Sequence, residues 1–456
     1  MRPFPLILAL FALLQPSFSA LTRKNKYIVP AATWYDTDGN ILSAHAGGVV
    51  KTNGTWYWFG QNERLEDKTL FSGINVYSST DLLNWKNEGR ALSPIAGTDI
   101  GPEKVVERPK AVFNELTQTW VLWFHADNST YGQLRQGVAT SPNITGPYTF
   151  KETFRPLGNP SQDLGLFQDV DGQAYALYSN GDADPDHDNL ITRLNANFTN
   201  VEEVVYTFYD FDLEAPNILY TGKRYYILMS HKTGYRPNNV VVFSAEKLSG
   251  PWLGTRTWNS QSTFTLTAGE GLEKTYIYCG DHWATGNTLY DSRYMWLPAT
   301  INDDIGSFRI DWVDLYSIDV KTGRIEVPKG QDYEAENGVL TGPAYVTLCP
   351  TCSGNKVVTS IQGNSTLTIK NIVGTGKPQW VSIYYHNPDG LWGDNRNGVS
   401  VLSRTATYSV NGGAPISMIQ RSGSSGIILS QPLNITFNAG GGNSLTFAGF
   451  KGGIAL

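Results

Sequence analysis

The chain is expected to fold as an all-β protein, a five-bladed β-propeller followed by a β-sandwich of jelly-roll type. Three observations predict this. A polar turn feeding a short aromatic and branched-aliphatic run occurs five times: KTNGTWYWFG, NELTQTWVLWFHAD, DVDGQAYALYSNGD, YTGKRYYILMSHKT and EKTYIYCGD, centred near Tyr57, Leu122, Ala176, Tyr226 and Tyr278. Each reads as a strand entered from a turn. The copies lie roughly 50 to 65 residues apart, about the length that a four-stranded blade and its turns consume. Beyond Tyr333 the texture changes to short alternating strands, STLTIKNI, WVSIYYH, TATYSVNG and NSLTFAGF, separated by Gly-rich turns. A second echo, GINVYSSTDLLNWKNEG, QGVATSPNITGPYTF and VVVFSAEKLSGPW, follows most copies. A two-sheet sandwich of similar strands is the alternative reading of the repeats.

At 456 residues the chain is too long for one core and divides. Residues 1–20, MRPFPLILALFALLQPSFSA, pass from a cationic start through an apolar run to small residues, the pattern of a secretory signal cut near Ser19 or Ala20. The propeller is expected over 21–327, its last strand running from Asp314 to Val320 and closing with Lys321-Thr322-Gly323. A linker over 328–332 then leads to the sandwich at 333–456.

A formal charge of -6 leaves no basic footprint, so nucleic acid is not an expected partner. No later segment has the apolar length of a membrane span, and the mature protein is expected to be secreted, soluble and monomeric. Aromatic residues at 12% with 46 glycines and only 17% charged residues suit a strand-and-turn protein that stacks flat apolar faces on sugars, a composition that equally suits a lectin. Sequons begin at Asn53, Asn128, Asn143, Asn197, Asn364 and Asn434, so N-glycans are permitted in a eukaryotic host. Of three cysteines, Cys349 and Cys352 have the spacing of a small local disulfide in a secreted chain, and Cys279 falls inside the fifth apolar run as a buried thiol.

Two resemblances sharpen this. YEAENGVLTG, CPTCSGNKV and RTATYSVNGGAP are similar to carbohydrate-binding module family 35 over almost all of 333–456. That likeness implies a structural calcium held by acidic residues of the first strand, here Glu334 and Glu336, although FAGFKGGIAL lacks the acidic residue expected near the last strand. AHAGGVV, VVERPKAVFN, SQDLGLFQDVDG, DLEAPNILY, NSQST and GNTLYDSRYMWLPATI, between residues 44 and 301, resemble glycoside hydrolase family 43, especially its exo-β-1,3-galactanases. The resemblance implies release of galactose from β-1,3-galactan or arabinogalactan with inversion and without a catalytic cofactor, the module concentrating the enzyme on its polymer. An arabinofuranosidase or xylosidase of the same family, and a glycan-binding protein without catalysis, are the rivals.

Glycoside hydrolysis needs a protonated carboxyl for the leaving oxygen and a group that activates water on the opposite face. In Asp212-Leu213-Glu214-Ala215-Pro216 the proline biases Ala215 toward extended backbone, and the resemblance makes Glu214 the acid and Asp212 a supporting group. Asp163 matches the aspartate that orients the acid and raises its pKa. Asp169, Asp171 and Gly172 read as a turn. At the first blade, where most of the family carries an aspartate base, this chain has Ala44-His45-Ala46-Gly47-Gly48, with His45 a candidate for holding the strand in register. Two substitutes match the galactanases. Gln261 would position the water, directly or as its imidic-acid tautomer, and Glu107, beside a possible ion-pair partner in Arg108, would bind substrate or act as base. Glu63, Tyr131, Asn180, Thr233 and Trp283 fall just beyond the repeated strands and are candidates for lining a sugar pocket.

Overall fold

The computed structural model describes residues 24–63, 69–181, 187–235, 238–270, 274–284, 289–350, 352–387, 403–422 and 429–451. The secretory signal expected at 1–20 lies outside the described residues. The rest is built from β-strands and short 3-10 turns.

Each aromatic run becomes the second strand of a four-stranded antiparallel sheet. The first sheet holds β1 (His45–Thr52), β2 (Thr55–Gln61), β3 (Ile74–Ser79) and β4 (Lys86–Leu92) in sequence order. The second holds β5 (Val105–Asn114), β6 (Thr119–Asp127), β7 (Arg135–Ser141) and β8 (Thr149–Phe154). The third is β9 (Gln162–Gln168), β10 (Ala174–Ser179), β11 (Asn189–Leu194) and β12 (Val201–Phe208). The fourth is β13 (Leu213–Tyr220), β14 (Tyr225–His231), β15 (Asn239–Ala245) and β16 (Leu253–Asn259). The fifth is β17 (Gln261–Ala268), β18 (Thr275–His282), β19 (Arg293–Asn302) and β20 (Ser307–Ile310). The second strands are apolar on both faces because each sheet is covered on both sides.

Each sheet's first strand touches the first strand of the next, and β17 returns to β1. Apolar clusters fill the gaps in the same cyclic order. Phe59, Val76, Leu122 and Phe124 join the first and second sheets, Trp123, Leu164 and Ala176 the second and third, and Leu177, Ile227 and Met229 the third and fourth. Tyr226, Leu228, Tyr278 and Leu297 join the fourth and fifth, and Trp58, Trp85, Phe264 and Trp296 the fifth and first. Trp58 lies 4.8 Å from Trp296 and 5.2 Å from Trp85, centroid to centroid. Its truncation to Ala is expected to cost about 3–5 kcal/mol. At the centre the strands approach so closely that a Cβ on Gly165 of β9 would meet the Pro216 carbonyl of β13 at 2.2 Å.

The strand expected from Asp314 to Val320 is not a fifth-sheet strand. Only β21 (Ser317–Ile318) pairs there, with β22 (Ile325–Glu326), and Tyr316 bridges back to Ile28. The fifth sheet is already complete at β20, and this segment instead ties the stretch after it to Ile28, ahead of the first sheet.

Beyond it, β23 (Val339–Thr341), β24 (Tyr345–Leu348), β25 (Lys356–Thr359), β26 (Thr366–Gly374), β27 (Pro378–Tyr385), β28 (Ser403–Val410), β29 (Ile416–Arg421), β30 (Leu429–Thr436) and β31 (Gly440–Lys451) form a second unit. A five-stranded sheet of order β23-β26-β31-β28-β29 and the pair β27-β30 share one apolar cluster that includes Leu367, Ile383, Leu429, Ile435 and Phe447. Cys349 and Cys352 form a disulfide, and Cys279 is a buried free thiol. Glu334 and Glu336 do not share a strand face as expected. Glu334 precedes, and Glu336 lies within, a 3-10 turn over Ala335–Asn337. Both nevertheless reach the Ser353-Gly354 turn, where Ser353 donates to Glu334 and a Cβ on Gly354 would lie 2.5 Å from Glu336 Oε1.

Candidate active site

One irregularity repeats at the same place in all five first strands. Against two residues of the second strand, three residues of the first are spent from His45 to Gly48, Glu107 to Lys110, Gln162 to Gly165, Glu214 to Asn217 and Gln261 to Phe264. These are β-bulges, which re-aim side chains and recur beside active sites. Four place the next residue in the left-handed region: Ala46 (φ 51), Arg108 (φ 54), Asp163 (φ 53) and Ala215 (φ 58). Ala215 is therefore not extended as Pro216 suggested. Prolines follow Arg108 and Ala215 because a bulge tolerates a residue without an N–H.

Glu214 is 7% exposed, and its Oε1 accepts from Gln261 Nε2 at 2.7 Å. Burial, then the neighbouring charge of Asp163, push its carboxyl up to about 9 against the opposing pull of Arg108. Arg108 pairs with Asp163, Nε to Oδ1 2.9 Å, rather than with Glu107, and also donates to the Ser262 carbonyl at 3.1 Å. Trp283 is buried, and its indole donates to Gln261 Oε1 at 2.7 Å.

Glu107, at the equivalent bulge of β5, has the opposite environment. Its Oε1 accepts from Tyr131 at 2.7 Å and from Tyr235, and its Oε2 faces His125 Nδ1 at 3.4 Å. Burial works against the charge, but the hydrogen bond and charge of His125 and the two phenols outweigh it and hold the carboxyl below its usual range. Burial likewise opposes charge on His125, yet Asp127 and Glu107 raise it to about 9.

His45 does tie strands together, its Nδ1 lying 3.2 Å from Asp281 Oδ1 of β18, while Ala46 N–H donates to Oδ2 at 2.6 Å. The carboxylate nearest the first bulge is thus engaged at both oxygens. Lys110, buried below, donates to the Ala46 carbonyl at 3.3 Å. Glu63 accepts from Gln61 at 3.1 Å, and Asn180 binds the backbone of Asp188 at 3.0 Å. Thr233 accepts from Asn238 at 3.2 Å. Asp212, 64% exposed, sits at the rim beside Lys232 and His187 rather than behind the acid. Asp169, Asp171 and Gly172 form the β9-β10 turn. His125, Asp127, Tyr235 and Asp281 were not foreseen. Their signal was the polar residue ending or following each apolar second strand.

Among the described residues, ligand atoms of Glu107, His125 and Asp163 approach within 4.8 Å of one another. Arg108 already pairs with Asp163, and His125, raised to about 9 and so protonated at neutral pH, has no ring lone pair to offer a cation. The arrangement is instead suited to donating a proton from Glu214 while keeping Glu107 ionised.

The family described as Glycosyl hydrolases family 43 matches residues 48–268. An exo-β-1,3-galactanase from Phanerochaete chrysosporium, solved with galactose, is 36% identical over 94% of this chain and 98% of that one, with a TM-score of 0.78. A glutamate-to-glutamine variant of it, solved with β-1,3-galactotriose, is 35% identical over 94% and 100% of the two chains, again at 0.78. An exo-β-1,3-galactanase from Clostridium thermocellum is 27% identical over 80% of each chain, at 0.60. A putative β-xylosidase of Escherichia coli is 29% identical over 112 residues, so the chain spans only 20% of that protein's length.

Proposed function

Because the chain belongs to glycoside hydrolase family 43, we propose that its five sheets are the blades of a five-bladed β-propeller whose mouth releases galactose from β-1,3-galactan, the arabinogalactan backbone. The enzyme is exo-acting, inverting and secreted. One observation carries the reading: a buried carboxyl, Glu214, is held protonated through neutral pH beside an amide, Gln261, that is itself fixed by Trp283. The whole-chain likeness to exo-β-1,3-galactanases supports the substrate.

In this mechanism Glu214 gives its proton to the departing glycosidic oxygen while water attacks the anomeric carbon from the other face. An inverting pair stands about 6.5–9.5 Å apart to admit that water. In this reading the 2.7 Å contact between Glu214 and Gln261 would have to open for sugar and water to stand between them. Gln261 Oε1 uses one lone pair on Trp283 and accepts a hydrogen bond from the attacking water on the other. The proton that this water loses on attack passes to solvent, and Glu214 is reprotonated from solvent before the next turnover. Glu107, weakened as a base by three donors but with acceptor capacity left on its two oxygens, orients substrate hydroxyls together with Tyr131 and Tyr235. Glu63, Asn180 and Thr233 border the sugar.

Residues 333–456 are proposed to be a polymer-binding β-sandwich of carbohydrate-binding module family 35. Glu334, Glu336 and the Ser353 hydroxyl are the oxygen donors there for a structural calcium, which takes six to eight such ligands and would cross-link the Ser353-Gly354 turn to the 3-10 turn over Ala335–Asn337. The test is incubation with β-1,3-galactan, xylan and arabinan, following products and the anomer first released by proton NMR. Galactose released from galactan as the α-anomer is expected. Release from xylan or arabinan alone points to the rival glycosidases, and no release from any polymer to a binding protein.

A further inference from the structure

The mouth does not rest on the five sheets alone. Arg421, the last residue of β29, reaches out of the C-terminal sheets to Asp291, Nη2 to Oδ1 2.7 Å, and lies 4.0 Å over the Tyr290 ring. The Asp291 carboxylate is fully buried, and the Arg421 side chain is 12% exposed. Arg293, also buried, braces the same turn by donating to the Asp291 carbonyl and, across the junction, to Ser422 O at 3.3 Å. Tyr385 OH donates to Arg421 O at 2.9 Å and fixes the arginine's backbone.

From Asp291 the route to the catalytic amide is short. Its neighbour Ser292 accepts the Ala284 N–H on Oγ at 3.2 Å. Ala284 follows Trp283, whose indole donates to Gln261, which in turn donates to Glu214. Ser292, Ala284, Trp283 and Gln261 are all buried, so a displaced turn is transmitted through close packing rather than absorbed by solvent.

We infer that Arg421 is a positioning residue for hydrolysis: by clamping Asp291 it fixes the Trp283 indole and hence the Gln261 amide. The C-terminal unit is then part of the active-site scaffold as well as a polymer binder. This rests on the reading of Gln261 as the water-positioning amide. It also means that deleting 333–456 impairs the chemistry itself, so full-length variants are the clean test.

Turnover of soluble β-1,3-galactotriose, which needs no polymer docking, is measured for wild type, Arg421→Met, Arg421→Lys, Trp283→Phe and the Trp283→Phe/Arg421→Met double variant, with thermal unfolding alongside. Small misplacements of reacting groups cost up to about 10²-fold. Arg421→Met is expected to lower kcat about 10- to 100-fold with KM within about twofold, and Arg421→Lys to recover part of it. On the Trp283→Phe background the Arg421 change should cost less than about twofold more, because both act through one contact. Should Arg421→Met not fold, the Lys variant and its own pairing with Trp283→Phe carry the same comparison. Wild-type kcat in the Arg421 variants, or losses that multiply in the double variant, would overturn the clamp while leaving the galactanase reading intact. An inactive wild type would sink both.

Discussion

Glu214 and Glu107 occupy the same position on two different sheets, each the residue that opens a bulge in the first strand, yet their surroundings drive them to opposite charge states. Around Glu214, burial and the like charge of Asp163 outweigh the pull of Arg108, of Lys232 and of one neutral amide donor. Around Glu107 there are two phenols and a histidine that Asp127 helps keep protonated. The backbone irregularity aims a carboxyl into the mouth; the second strand and the loops beyond it decide whether that carboxyl keeps its proton.

The largest effect should come from removing the proton. Glu214→Gln is expected to lower galactotriose turnover about 10²–10⁴-fold with binding largely kept, as measured by single-turnover kinetics and calorimetry. Near-native turnover would remove Glu214 from the acid's role. Gln261→Ala comes next, with kcat down about 10²-fold and little change in affinity.

Glu107→Gln should raise KM as well as lower kcat, and cost about 1–3 kcal/mol in urea unfolding because buried, protonated His125 loses a charged acceptor. Azide rescue of a Glu107→Ala variant, yielding the inverted glycosyl azide, would instead make Glu107 the base.

The two carboxyls also predict opposite slopes of stability with pH. Glu214, raised from an ordinary value of 4.5 to about 9, binds its proton more tightly folded than unfolded. Its contribution is therefore complete below the unfolded value and lost as pH rises toward about 9. Glu107, lowered by folding, contributes above the unfolded value and loses that contribution as pH falls. Urea unfolding at pH 5 and pH 8 should show wild type losing stability relative to Glu214→Gln as pH rises. Parallel curves would contradict the raised pKa. The smallest effect belongs to Asp212, two residues from Glu214 but exposed and screened, where Asp212→Asn should change stability by less than about 0.5 kcal/mol.

The strands, and the two carboxyls Glu214 and Asp163 that meet in the site, were legible because their signals are local. Five aromatic runs such as TWYWFG and YYILMS must be buried on both faces, and Glu214 and Asp163 stood in distinctive motifs. The bulges were not legible, since HAGG, ERPK, QDLG, EAPN and QSTF share no residue pattern, only a shared position relative to the next strand. Arg108 illustrates the cost. Sequence adjacency suggested Glu107 as its partner, but the left-handed turn at Arg108 carries its guanidinium to Asp163 of the next sheet. Trp283 was foreseen near the sugar, and its buried N–H to Gln261 became visible only when β17 and β18 were paired. Likewise Glu334 and Glu336 have strand-like spacing, but only Glu334 is extended; Glu336 falls inside the 3-10 turn over Ala335–Asn337, so the two do not alternate along one strand.

The most direct measurement is a carbon-13 NMR titration of the glutamate side-chain carboxyls, assigned by difference using Glu214→Gln and Glu107→Gln. Glu214 is predicted to titrate well above neutral, near about 9, while Glu107 remains ionised below the ordinary glutamate range. Both carboxyls titrating together in that ordinary range, or Glu107 holding the higher value, would contradict the account.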